Sequence, residues 1–232
     1  MLDAFLLGAA AQSSLLLSGL AVYLVKVPKA VIGAFAGFGA GALVAAVAFD
    51  LIPEGQGLSE NWQLALWLLI GGLVFIVSDR IVESRFGEGG GSSAMGIVVG
   101  SVVDGVPESL IFGIQVASGQ SISTSFLIAV FVSNVPQALA PSADLAGSGW
   151  RAGRMALMWG TVVLACGVAS GLGFAATDLW GLSGDRAAAF AAGGLLAMLT
   201  DSLMPFALER GGTWAGIWTV VGFASSLATA ST

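Results

Sequence analysis

The run Ser101-Val-Val-Asp104-Gly-Val-Pro107-Glu108-Ser-Leu-Ile-Phe-Gly113 decides how this chain is read. It lies inside an apolar stretch, Ala94 to Ser118, whose only charged residues are Asp104 and Glu108. Spaced i and i+4, they share one face of a helix a turn apart. Pro107 sits between them without a backbone N–H, so the carbonyl of Val103 loses its helical partner. Two carboxylates and one freed carbonyl thus meet at one level of a hydrophobic helix. In a bilayer such a cluster is costly unless it faces a water-filled path or a bound cation.

The rest of the composition puts that helix in a membrane. Hydrophobic residues make up 56% of the chain and charged residues 9%, with mean hydropathy +0.93. A soluble domain carries about 25% charge. The 34 glycines predict close helix–helix packing. Cys166 stands alone in an apolar run, which excludes a disulfide framework and makes it a small core residue. The chain has no histidine, so it offers neither the imidazole that suits zinc nor a histidine base. The net charge of −6 is not gathered in a tail, and no nucleic-acid partner is expected. At the start, Asp3 replaces the basic cluster of a signal peptide, so this segment reads as a first span.

Apolar windows of about 20 residues mark membrane spans. Eight are expected: Ala4–Val25, Ala30–Ile52, Trp62–Ser78, Ala94–Ser118, Ser123–Ala143, Ala152–Ala176, Ala187–Leu208 and Thr213–Ala230. They form one all-α transmembrane domain over residues 1–232, with a flexible loop at about 79–93 that contains Gly89-Gly-Gly-Ser-Ser93. Lys26, Lys29, Arg80, Arg85, Arg151, Arg154 and Arg210 fall in odd-numbered connections, and only Arg186 in an even one. Odd connections are therefore cytoplasmic and both termini lie outside. Trp62, Trp150, Trp180 and Trp214 mark span ends as interfacial anchors. The stripe Gly33-x-x-x-Gly37-x-x-x-Gly41 in the second span reads as tight packing in preference to a moving or dimerising face.

A weak repeat runs through the spans. Asp50-Leu-Ile-Pro53-Glu54, Asp104-Gly-Val-Pro107-Glu108, Ser133-Asn-Val-Pro136-Gln137 and Asp201-Ser-Leu-Met-Pro205 each couple polar residues to proline. That placement suits an inverted-repeat transporter, pairing span 4 with 5 and spans 1–3 with 6–8 around proline-broken helices. In the fifth span, Ser133 and Gln137 are i and i+4, with Asn134 beside them. Facing the fourth span, they give a candidate metal site of Asp104, Glu108, Ser133, Asn134 and Gln137. A set of oxygen ligands suits a hard divalent cation, and two carboxylates neutralise its charge. Asp50 and Glu54 would attract cations at the outer mouth, and Asp201 near the inner exit. Each has a plainer reading. Asp104 and Glu108 could be a satisfied structural pair, one of them protonated and bonded to the neighbouring Ser101 and Ser109. Glu54 could be solvated in an external loop, Gln115 could serve core hydrogen bonding, and Ser133, Asn134 and Gln137 could simply tie helices together.

Eight spans with outside termini and proline-centred polar motifs in spans 4 and 5 resemble the ZIP (Zrt-/Irt-like) family of metal transporters. The positions that carry the likeness are Asp104-Gly105-Val106-Pro107-Glu108 and Ser133-Asn134-Val135-Pro136-Gln137, with Asp50–Glu54 similar to the family's second-span pattern. Asp104 stands where the family has histidine, Gly105 where it has asparagine, and Gln137 where it has glutamate. The resemblance implies a cell-membrane (plasma or inner membrane) transporter, a 3+2+3 inverted-repeat bundle, and a homodimer that moves its substrate inward by alternating access. With so few anionic ligands a single metal is expected, and manganese, magnesium or ferrous iron become as plausible as zinc. Two alternatives stand beside it: a relative that has lost transport and serves as a sensor or scaffold, and an intramembrane aspartic protease with Asp50 and Asp104 as its dyad.

Overall fold

Carbonyl and N–H groups have no water to bond in a hydrocarbon layer, so long apolar runs fold as helices. The structure, a computed structural model, describes residues 1–58, 60–86, 94–119, 122, 124–180 and 184–230. Among them are eight helices: α1 (Leu2–Ala21), α2 (Lys29–Gly55), α3 (Asn61–Phe86), α4 (Ala94–Ser118), α5 (Thr124–Gly147), α6 (Ala152–Trp180), α7 (Gly184–Gly211) and α8 (Trp214–Ala230). Seven are long and apolar enough to cross a membrane, while α8 is apolar but only 17 residues long. Leu69, Leu157 and Val220 are about 70% exposed on the outer surface, at 72%, 70% and 68%. A surface so rich in leucine and valine fits acyl chains and not water. The chain thus has the make-up of a multi-pass membrane protein.

Several helices run three or four residues beyond their hydropathy windows at one end or the other, and the two that depart most tellingly are α1 and α3. α1 stops at Ala21, four residues short of the expected Val25, and Pro28 then opens α2 in extended geometry. α3 runs on to Phe86, so Asp79–Phe86 is helix and not the start of a flexible loop. Charged residues ended the apolar window there without ending the helix, because a helix needs only its own backbone bonds to continue. The Gly89–Ser93 run and the side chain of Trp180 lie outside the described residues. Trp62 and Trp214 are exposed at helix ends, and Trp150 carries the Arg154 guanidinium 3.9 Å above its ring.

Of the four motif prolines expected to break their helices, only two lie beside an irregular turn. α4 and α5 pass through Pro107, Pro136 and Pro141 as continuous helix. The irregular turns are in α2 and α7, at Val47–Leu51 and Leu199–Leu203, both π-helical. Each is closed by the same bond: Ile52 N–H to the Val47 carbonyl, and Met204 N–H to the Leu199 carbonyl. The next residue is a proline each time, Pro53 and Pro205. A proline ring crowds the carbonyl four residues back and cannot bond it, and one residue inserted into the ladder relieves that conflict.

Glycine sets how closely the helices approach. A Cβ on Gly41 would lie 1.8 Å from the Thr219 carbonyl oxygen, and one on Gly222 would lie 1.9 Å from that of Phe38. The α3–α7 crossing repeats this, with Gly71 against the Phe190 carbonyl and Gly193 against that of Leu68. In both crossings the carbonyl belongs to the residue three before the opposing glycine. The Gly33–Gly41 stripe is therefore buried against Gly211, Ala215 and Thr219, which is packing within the chain. Phe112 and Phe126 join α4 and α5 across the core, their ring centroids 5.0 Å apart. Otherwise α4 and α5 barely touch, and α1 fills the space between them and α6. On that side Trp159 is fully buried and donates its indole N–H to Ser142 Oγ at 2.8 Å.

Gly222→Val is expected to lower stability by about 1–3 kcal/mol through overpacking. Gly216→Ala, on the same helix with nothing within 4 Å of its added carbon, should change it little. Thermal melts of the purified chain check both.

Candidate functional site

Because α1 lies between α4 and α5, the polar residue at its middle decides what those helices can share. That residue is Gln12, fully buried. Its Nε2 donates to Glu108 Oε2 at 2.8 Å, and its Oε1 accepts from Asn134 Nδ2 at 2.7 Å. Glu108 and Asn134 are 1% and 2% exposed, so the chain Glu108–Gln12–Asn134 is a buried tie across three helices. Gly105 makes room for it. A Cβ there would come within 2.7 Å of Cys166 Sγ and 3.5 Å of the Gln12 amide, so any larger residue would hold α4 off α1 and α6.

Asp104 lies one turn before Glu108 and is partly exposed. Its charged neighbours include Asp79 on α3 and Asp201 in the π turn of α7. Arg80 reaches Asp201 at 3.9 Å, with side chains 64% and 38% exposed, a loose pair worth about 0–1 kcal/mol. Acidic groups also gather near the C-terminal end of α2. Glu54 Oε2 accepts from Gln115 Nε2 at 3.3 Å, and Asp50 Oδ2 accepts from Ser125 Oγ at 2.9 Å. Glu54 is thus a partly buried helical residue and not part of a solvated loop. Its placement follows from the π turn, which extends α2 through Pro53.

The five expected metal ligands are only partly brought together. Glu108 and Asn134 are joined through Gln12, and Asp104 stands a turn away. Ser133 is fully buried but turns its Oγ back to the Val130 carbonyl at 2.9 Å and packs on α2, where a Cβ at Gly39 would meet its Cα at 2.6 Å. It therefore faces away from the Asn134 side. Gln137 is partly buried one turn further along α5. Among the described residues, no three His, Cys, Asp or Glu side chains could hold a metal ion together. Gln12 is the residue that the motifs overlooked. Its signal was being the one amide in an apolar first span. No family model matches this chain, and no curated protein matches it either.

Gln12→Leu is expected to cost about 1–3 kcal/mol by stranding a buried carboxylate and a buried amide. Adding Asn134→Leu should cost less than the sum of the two single changes, because both act on one network. Thermal melts of the single and double variants measure the coupling.

Proposed function

We propose that this protein moves a divalent metal cation across a cell membrane, with Glu108 as the central ligand of the path. One observation carries the reading: a carboxylate 1% exposed in a bundle of apolar helices, bonded at 2.8 Å to an uncharged amide. An amide supplies a hydrogen bond but no charge, and a buried carboxyl group keeps its negative charge only beside a positive partner. A passing cation is such a partner. Around it are further oxygens of the kind a hard ion takes: Asp104 a turn away, the amides of Gln12 and Asn134, and the Val103 carbonyl that Pro107 leaves free. Asp50 and Glu54 form the mouth, and Asp104, Asp79 and Asp201 line the way out. Ser133 and Gln137 would have to rotate or shift to join the ligands.

The ZIP-like likeness read from the sequence agrees with this. Recurrence of the π turn before Pro53 and Pro205, and of the reciprocal glycine crossings, supports an inverted repeat pairing α2 with α7 and α3 with α8. The basic residues put both termini outside, and α8 then completes the eighth crossing. The oxygen-only donor set favours Mn²⁺, Mg²⁺ or Fe²⁺ over Zn²⁺. A homodimer remains part of the same proposal. An aspartic protease draws no support, since Asp50 bonds to Ser125 while Asp104 neighbours Asp79 and Asp201. A non-transporting sensor of the same fold is the second reading. It is favoured by the absence, among the described residues, of a ready three-ligand cluster.

Proteoliposomes tested with Mn²⁺, Mg²⁺, Fe²⁺ and Zn²⁺ are expected to accumulate at least one of the first three. Glu108→Ala and Asp104→Ala should each cut the initial rate by about tenfold or more, the loss of one charged ligand. Metal-dependent thermal stabilisation without accumulation of any ion selects the sensor.

A further inference from the structure

Gln115 presents a problem that the Glu108 network does not solve. It is 3% exposed, its Nε2 donates to Glu54, and its Oε1 is buried without a hydrogen-bond partner. A buried amide oxygen left unbonded is costly. It sits on the same amide group as the nitrogen that touches Glu54, so it lies beside a carboxylate. Asp50 is four residues before Glu54 on α2, and Ser125, which donates to Asp50 at 2.9 Å, is in the first turn of α5. Asp185 adds a further negative charge nearby, its carboxylate lying against Gly57 just beyond α2.

We propose that Asp50, Glu54, Gln115 and Ser125 form a second cation site, apart from Glu108, which takes a hard divalent ion through oxygen atoms alone. It deepens the reading of Asp50 and Glu54 as the mouth of the path, and rests on it. The donor set is two carboxylates, one amide oxygen and one hydroxyl, which water completes to the six or more oxygens such ions take. Half a turn of the Gln115 amide exchanges its two ends and brings Oε1 toward Glu54. That arrangement sets oxygen against oxygen and is repulsive in the empty site. A cation between them makes it favourable, and the amide turns as the ion arrives.

Manganese titration of the full chain in phosphatidylcholine nanodiscs, read by electron paramagnetic resonance, tests the site. The Glu108→Gln background removes the central ligand, so that Mn²⁺ still bound belongs to the mouth. Binding is expected to persist in that background, to weaken about tenfold with Gln115→Leu, and to tighten with Gln115→Glu. No binding in the Glu108→Gln chain overturns the proposal, as does an affinity unmoved by both Gln115 changes. Should Gln115→Leu not fold, Gln115→Glu decides alone: tighter binding supports the site, and equal or weaker binding overturns it. Uptake by the unaltered chain without this binding leaves the transport reading standing and removes the second site. Binding without uptake does the reverse.

Discussion

The most demanding burial in this bundle is that of a carboxyl group, Glu108, set between apolar helices. Glu108 is hydrogen-bonded by an amide from a helix more than ninety residues earlier in the chain, and that amide is in turn held by Asn134. The bonds fix where three helices sit relative to one another, yet the amide that reaches the carboxyl group brings no positive charge to it. Under the proposed function, Glu108 would hold the roles of structural tie and cation ligand in alternation. A cation bound there would displace Gln12 from the carboxyl group, and α1, α4 and α5, which the two hydrogen bonds join, would have to adjust together. Gly105 permits this by keeping bulk out of the space between α4, α1 and Cys166.

The scaffold around the tie is built from backbone contact. Small residues let α2 meet α8, and α3 meet α7, at distances where any side chain on the glycine would collide with a carbonyl. In a hydrocarbon environment there is little hydrophobic force to hold helices together, so packing of this closeness does most of the holding. The π turns in α2 and α7 are set into the same framework and carry Asp50 and Asp201. A looser ladder there frees backbone oxygens and gives those helices room to bend. On the proposed function, both irregularities fall at the residues assigned to the mouth and the exit, Asp50 and Asp201.

Helix number and membrane character were legible because they rest on long apolar runs, and Asp104 with Glu108 stood out as charges inside one. The glycine stripe in α2 was read correctly for a similar reason: regular small-residue spacing has one main use. What was not legible depended on contacts between distant segments. Gln12 has no motif around it, and its role exists only because α1 packs between α4 and α5. Ser133 and Asn134 are adjacent in sequence, but about 100° of helical rotation turns them toward different helices. The prolines were seen, but whether a proline breaks its helix depends on what the neighbours tolerate, and in α4 and α5 the helix runs on. Glu54 was drawn toward a loop by its glycine-rich flank, while the π turn kept it in α2.

The central claim is that Glu108 exchanges its bond to Gln12 for a cation, and anomalous diffraction from crystals grown with Mn²⁺ addresses it directly. The account predicts a manganese peak about 2.0–2.6 Å from the Glu108 carboxylate, with the Gln12 amide displaced from it. A map in which Gln12 still bonds Glu108 and no manganese lies within the α1–α4–α5 space would contradict it.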